Sequence, residues 1–421
     1  MQKIAIVGSG IAGMTCAYFL SRKYEVTLFE KNDYVGGHTN TVTVEEDGRE
    51  IPVDTGFMVY NEVTYPNLVQ LFRELKVPVK KTSMSFSVQH VPTGLEFCGS
   101  SFNKLFSQRR NVFNIPFLRM LLEINRFNRE CGEVLKKSEY EGCTIGEYAR
   151  SKRYGDDFME KYLIPMSSAV WSTSSERMEE FPAATLVRFF TNHGFLGLNT
   201  QHQWWTVQNG SKTYREALIK PFEKQIRIGS AVVRIVRADA GATVMTSDGE
   251  VRAFDRVVLA CHADEALRML ANPTTLEQSL LRHFEYQKNR VTLHTDASIM
   301  PRSRRAWSSW NHRSEKNGDG SAHATTIYWM NSLQGVSERK NYFVSVNDVG
   351  RVRDELVLKE MQYTHPLLAR SAVQSQKDLP RLNQNGIVYY CGSYFKYGFH
   401  EDALVSALDV CRQLGCGPVW N

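Results

Sequence analysis

The 421-residue sequence predicts an α/β fold interrupted by α+β insertions, and three observations predict it. An apolar, β-branched run at residues 3–7 leads directly into a glycine-rich turn, an apolar helix at 14–21 and a second strand at 25–29. A β-rich block closes on the buried run Asp255-Arg256-Val257-Val258-Leu259-Ala260. Near the end, a strand at 386–393 terminates in glycine and is followed by a helix reaching residue 414.

The first element carries the most chemistry. Gly8-Ser9-Gly10-Ile11-Ala12-Gly13 stands between strand and helix, and Glu30 ends the second strand 20 residues after Gly10. Strand, GxGxxG, helix, strand and acid in this order form a dinucleotide-binding, Rossmann-like unit. Gly8 permits the tight turn, Gly10 lets a pyrophosphate approach the backbone, and Gly13 lets the helix pack on the strand. The N–H groups of Ile11 and Ala12, with the helix dipole, face the phosphates. Glu30 suits an unphosphorylated ribose.

The middle of the chain is read more coarsely. Residues 65–75 read as a helix, 79–88 and 94–98 as strands around the turn at 92–94. Residues 113–137 read as one long amphipathic helix with Arg119, Arg126 and Arg129 among Leu, Ile and Phe. It serves as a cap-domain helix, or more sharply as a membrane-surface face. Thr144 and Glu147 form a capping box. Strands follow at 226–228, 231–237 and 242–246.

Composition bounds the classes. Hydrophobic residues are 42% and charged residues 23%, which excludes disordered and fibrous chains. The net charge of +6 is spread out, so no nucleic-acid face is expected, while attraction to anionic lipid or an acidic substrate remains compatible. The eight cysteines form no CxxC pair and match no zinc spacing, pointing to a reducing compartment and no metal. The opening residues already read as a core strand rather than a signal peptide, and no stretch is apolar enough to span a bilayer. The expectation is a cytoplasmic protein with peripheral membrane contact.

Beyond Glu30 the sequence continues E-K-x(4)-G-G-H-T, with Lys31, Gly36, Gly37 and His38, and then Val53-Asp54-Thr55-Gly56-Phe57. With GGHTNTV at 36–42, VDTGFMVYN at 53–61, LHTDASIMP at 293–301, WSSWN at 307–311, YWMNSLQ at 328–334 and GFHEDAL at 398–404, the chain resembles the flavin-containing amine oxidase and phytoene desaturase superfamily over nearly its whole length. More narrowly it is similar to a bacterial group commonly encoded near cyclopropane-fatty-acid-synthase-like methyltransferases.

The resemblance implies non-covalent FAD in a discontinuous domain of glutathione-reductase type, residues 1–85, 205–265 and 380–421. It implies an amine-oxidase-like substrate domain at 86–204 and 266–379. Gly36, Gly37 and His38 would underlie the pyrophosphate, and Thr55, Gly56 and Phe57 would run near the flavin. Val233, or its neighbour Val232, would contact the adenine. Gly392 and Ser393 would hold the ribityl chain, and Asp402 and Ala403 would open the last helix toward the ring. His400 and Glu401, in the loop facing the flavin, are the candidate acid–base residues. His294 joins them, sharing a strand face with Asp296. Trp204, Trp205, Trp307, Trp310, Tyr328 and Trp329 would line an apolar tunnel.

The chain departs from the family's pattern at three places. His38 replaces the usual arginine after the glycine pair. Ser393 replaces the usual acid. Asn289 or Arg290 falls where a lysine often stands. No aromatic pair assignable to an amine cage precedes the C-terminal motif. The resulting expectation is hydride transfer between a hydrophobic, acyl-lipid substrate and flavin, as desaturase, saturase or isomerase, with dioxygen or a carrier as electron acceptor. The alternatives are an amine oxidase releasing hydrogen peroxide and a flavin-containing scaffold without catalysis.

Overall fold

A computed structural model describes residues 1–420 apart from 198, 199, 317, 319, 321, 349 and 385. A five-stranded parallel sheet lies at its centre, in the order Ile226–Arg227, Glu25–Phe29, Lys3–Val7, Arg256–Leu259, Val388–Tyr390. Its strands are apolar runs because both faces are covered. On one face the first helix, Ile11–Leu20, packs between the sheet and the last helix, His400–Gln413. That position explains its composition: every residue but Tyr18 is buried, so it shows no polar stripe.

Gly13 makes the approach of this helix to the sheet possible. A Cβ there would sit 1.8 Å from the Gly8 carbonyl oxygen. Gly8 itself takes φ +98°, which a side chain would disfavour.

The second large layer is a seven-stranded sheet, ordered Val357–Leu367, Glu285–His294, Phe343–Val346, Ala322–Trp329, Trp310–Lys316, Phe86–His90, Leu95–Cys98. A three-stranded antiparallel sheet, Val232–Ala238, Gly241–Thr246 and Val251–Phe254, follows the edge strand Ile226–Arg227 in the chain. Helices between residues 102 and 192 pack an aromatic core that includes Phe117, Phe127, Tyr148 and Phe158.

Three elements differ from expectation. Residues 79–88 divide into Val79–Thr82 and Phe86–His90, which join different sheets. Residues 113–137 are not one helix: the α-helix is Ile115–Glu130, flanked by 3-10 turns Arg109–Phe113 and Cys131–Leu135. The Asn114 carboxamide caps the α-helix by accepting from Phe117 N (3.2 Å), with Pro116 in its first turn. Gly132 lies in the turn that ends it. The final strand is shorter than read, Val388–Tyr390. The capping box does form: Thr144 Oγ1 accepts from Glu147 N, and the Glu147 carboxylate from Thr144 N.

Candidate active site

A cavity of about 1340 Å³ runs from the glycine turn along the carboxyl ends of the parallel strands and on toward the seven-stranded sheet. It exceeds the roughly 300–1,000 Å³ of an ordinary ligand pocket, so it has room for a dinucleotide and a second molecule.

Gly8, Gly10, Ile11 and Ala12 line one end. Gly10 is extended (φ −62°, ψ 178°) and supplies no side-chain cap, so the first amides of the helix remain available to an anion. Gly37 (φ +58°) closes a second loop over the turn; a Cβ there would stand 3.3 Å from Gly10 Cα. Gly36 and Gly13 shape these loops from behind without lining the cavity. The buried Glu30 carboxylate accepts from Ser9 N (2.9 Å), Ser9 Oγ (2.6 Å) and Asn32 N (2.9 Å), tying the turn to the strand end. Lys31 also lines the cavity but is paired with Glu265 (2.5 Å). Val232 and Val233 both border this end, Val232 buried and Val233 exposed. A cradle of free amides, an open Gly10 and a ribose-level carboxylate fits a pyrophosphate-linked dinucleotide.

Further along, Thr55, Gly56 and Phe57 line the wall. Gly56 lies against His38; a Cβ would approach the His38 carbonyl oxygen to 2.2 Å, and Phe57 N donates to that oxygen at 2.7 Å. His38 lines the cavity with its ring tilted against Tyr363 (4.8 Å) and His365 (5.1 Å). Burial first, then the neighbouring His365, holds its pKa well below the ordinary value. Gly392, Ser393, His400 and Ala403 line the same stretch of the cavity. His400 stacks on Phe57 (centroids 3.9 Å, 12°) and its Nε2 lies 2.6 Å from the Tyr214 hydroxyl. Burial pushes its pKa down to about 3, so it is neutral at physiological pH.

Three expected site residues serve other ends. Glu401 does not line the cavity: its carboxylate accepts from Asn67 N (2.9 Å), Asn67 Nδ2 (2.8 Å) and Leu68 N (3.0 Å), capping the helix Pro66–Glu74. Asp402 caps its own helix, accepting from Phe399 N (2.9 Å) and Tyr397 N (3.2 Å). His294 ends its strand, and Asp296 lies beyond it rather than on a shared strand face. Both His294 ring nitrogens are engaged, by Ser345 Oγ (2.7 Å) and Asp296 N (3.1 Å), and the ring stacks on Phe343 outside the cavity.

The strand carrying Asn289 and Arg290 also reads differently. Arg290 pairs outward with Glu360, and Asn289 bonds His365 Nδ1 (2.8 Å). Lys288 is the residue that lines the cavity. Sequence reading missed it, along with His262, Tyr363 and His365 on the wall and Tyr214 behind it. Lys288, Tyr363 and His365 are placed by cross-strand pairing, such as Lys288 opposite Thr364, and Tyr214 and His262 by a helix and a helix start.

Beyond Phe57 and His400 the wall becomes aromatic. Trp171 packs on Phe189 (4.9 Å) and Phe399 (6.1 Å), Phe189 stacks on His193 (3.8 Å), and His193 on Trp204 (6.2 Å). Trp310 and Tyr328 also line the cavity, whereas Trp205, Trp307 and Trp329 do not. His193 gives its Nδ1 to the Phe189 carbonyl (2.9 Å), and burial lowers its pKa to about 4. The acidic lining residues are Glu30, Asp33, Glu265 and Glu360. Glu30 and Asp33 belong to the glycine-turn end, while Glu265 and Glu360 are paired with Lys31 and Arg290.

Residues 11–314 match the model of a protein family described as flavin containing amine oxidoreductase. The carotenoid phi-ring synthase of Chlorobaculum tepidum is 25% identical over 266 residues, 60% of this chain and 39% of that protein. The chain thus spans well under two thirds of that relative's length. Among solved structures, a conjugated-linoleic-acid-producing fatty acid isomerase from P. acnes superposes with TM-score 0.68 at 14% identity, covering 98% of each chain. A single-residue variant of putrescine oxidase superposes with TM-score 0.68 at 13% identity, covering 98% of this chain and 99% of that one. At these identities the structural likeness concerns the fold.

Proposed function

Because the chain belongs to the flavin containing amine oxidoreductase family, we propose that it is an FAD-dependent oxidoreductase whose substrate is an acyl chain, which it desaturates, saturates or isomerises. Bound FAD supplies the two-electron chemistry, accepting or returning a hydride. Gly10, Ile11, Ala12, Glu30 and Gly37 line the cavity where they would hold its nucleotide part, and Phe57, Gly392, Ser393, His400 and Ala403 line it where they would frame the ring.

The observation that carries the substrate class is the connected wall Trp171–Phe189–His193–Trp204 with its neutral histidine. An apolar chain gains roughly 0.8 kcal/mol per buried methylene in such a chamber. The carboxylates that line the cavity belong to the glycine-turn end or are paired with Lys31 and Arg290, so an ammonium group at the aromatic wall has no free counter-charge, and burying it unpaired is costly. The names of the fatty acid isomerase and the carotenoid synthase lend support, since both describe long hydrophobic substrates.

The experiment is a comparison of acyl composition in total lipid from a deletion strain and its parent. The proposal expects at least one unsaturated or branched acyl species to accumulate or vanish, with restoration by the wild-type gene. Identical profiles under all growth conditions would overturn it.

A further inference from the structure

A second surface, on the helices between the two large sheets in sequence, stands apart from the cavity. Phe102 (78% exposed), Phe113 (87%), Ile115 (76%) and Leu122 (70%) all lie within one short segment. Such large apolar side chains are rarely displayed together on a protein that meets only water. They belong to three consecutive short elements, Phe102–Leu105, Arg109–Phe113 and Ile115–Glu130. In the last of these, Ile115, Arg119 and Leu122 recur at helical spacing and share the solvent face, while Phe117, Met120 and Phe127 face the core.

The charge on this segment has one sign. Residues 97–122 contain Lys104, Arg109, Arg110 and Arg119 and no aspartate or glutamate. Arg109, Arg110 and Arg119 are exposed beside the apolar side chains. Elsewhere the chain mixes the two signs closely, with 51 basic and 45 acidic residues in all. Exposed aromatic and aliphatic groups, interleaved with cations and free of anions, match the chemistry of an anionic lipid headgroup layer over its acyl boundary. A protein partner would need an acidic, apolar face of the same extent. Among the described residues no helix is long and apolar enough to cross a membrane, so the contact is peripheral.

We propose that residues 102–122 form a docking surface for an anionic bilayer, with Phe113, Ile115 and Leu122 entering the interface and Arg109, Arg110 and Arg119 binding phosphate headgroups. The inference rests on this surface alone and holds whatever the cavity binds.

The test is co-sedimentation of the FAD-loaded full chain with vesicles. One set is phosphatidylcholine alone, and the other is phosphatidylcholine containing phosphatidylglycerol. Binding is expected to the anionic set, with release at about 1 M salt, where the screening length falls to roughly 3 Å. R109Q/R110Q/R119Q is expected to weaken it roughly a hundredfold, since each interfacial cation is worth about fivefold. F113S/I115S/L122S is expected to weaken it even at low salt. Both variants alter only exposed side chains, and an unchanged flavin spectrum and melting temperature verify that they fold. Failure of the wild type to bind anionic vesicles, or binding indifferent to both variants, would overturn the proposal. So would a wild-type dimer, seen by sedimentation velocity, that the apolar variant dissociates while neither protein binds vesicles; the surface would then cover a second copy of the chain.

Discussion

The Tyr214 hydroxyl lies 2.6 Å from Nε2 of His400. Burial raises the tyrosine's pKa and lowers that of the histidine to about 3, so both partners of this hydrogen bond are neutral at physiological pH. Thr39 bonds the same hydroxyl, and Phe57 covers the imidazole face. His400 therefore enters the cavity wall with its ring plane held by Phe57 and Tyr214. Tyr214→Phe should leave FAD bound but cost roughly 1–3 kcal/mol of stability, because a buried ring nitrogen loses its hydrogen-bond partner. It should also slow substrate-driven flavin reduction. Denaturant unfolding and anaerobic stopped-flow check the two effects separately.

Gly10 offers a sharper separation. Its φ of −62° is open to any residue, and no protein atom lies within 4 Å of a Cβ built there. Gly10→Ala should therefore leave the apoprotein's melting temperature unchanged. FAD affinity should fall roughly tenfold or more, as the methyl group occupies the space of the pyrophosphate. Gly13→Ala should do the reverse of sparing the apoprotein, since its Cβ would meet the Gly8 carbonyl at 1.8 Å. Titration of deflavinated protein with FAD, alongside thermal melts, tests both.

The glycine turn and Glu30 were legible because a fixed strand–turn–helix–strand spacing brings Glu30 back to Ser9, and the loop of Gly37 was legible only through the family resemblance of the segment that follows Glu30. The last helix was half legible. His400 and Glu401 are adjacent in sequence, yet about 100° of helical rotation separates successive residues. His400 thus meets the cavity while Glu401 caps the helix Pro66–Glu74. Lys288 and His365 were not legible, since they are placed by pairing between strands some 75 residues apart, as with Gln287 and His365. His294 was a candidate because it alternates with Asp296 along what reads as one strand. Ser345, on the neighbouring strand, supplies the partner that no local pattern reveals.

Acid should destabilise the fold. Burial lowers His193, His294 and His365 to about 4, and His312 and His400 to about 3, against an ordinary 6.5. Below pH 6.5 the unfolded chain takes up protons that the folded chain refuses, so stability falls as pH drops toward 4, by roughly 1.4 kcal/mol per unit for each such histidine. Asp402, raised by burial from 3.8 to about 7, acts oppositely: its contribution is present at low pH and lost as pH rises through 7. Glu401, also raised by burial, has the same sign as Asp402. Asp54, raised by burial, adds a third term of that sign; the five histidines still outnumber the three carboxyls, so the melting temperature should decline from pH 6.5 to 4.5. A flat profile would show that these histidines are hydrated.

The aromatic chamber can be blocked without touching the nucleotide end. Val170 is half-buried and lines the cavity next to Trp171. Val170→Trp should preserve the spectrum of bound FAD while cutting reduction by substrate roughly tenfold or more. Equal reduction rates in variant and wild type would move the substrate elsewhere in the cavity.

The most direct test of the acyl assignment is the visible spectrum of the FAD-loaded protein under anaerobic conditions. One cuvette receives a total lipid extract and a parallel cuvette receives a panel of primary and secondary amines. The account predicts that lipid bleaches the oxidised-flavin band near ~450 nm and that the amines leave it intact. Bleaching by amines alone would contradict it and make the chain an amine oxidase in activity as well as in family.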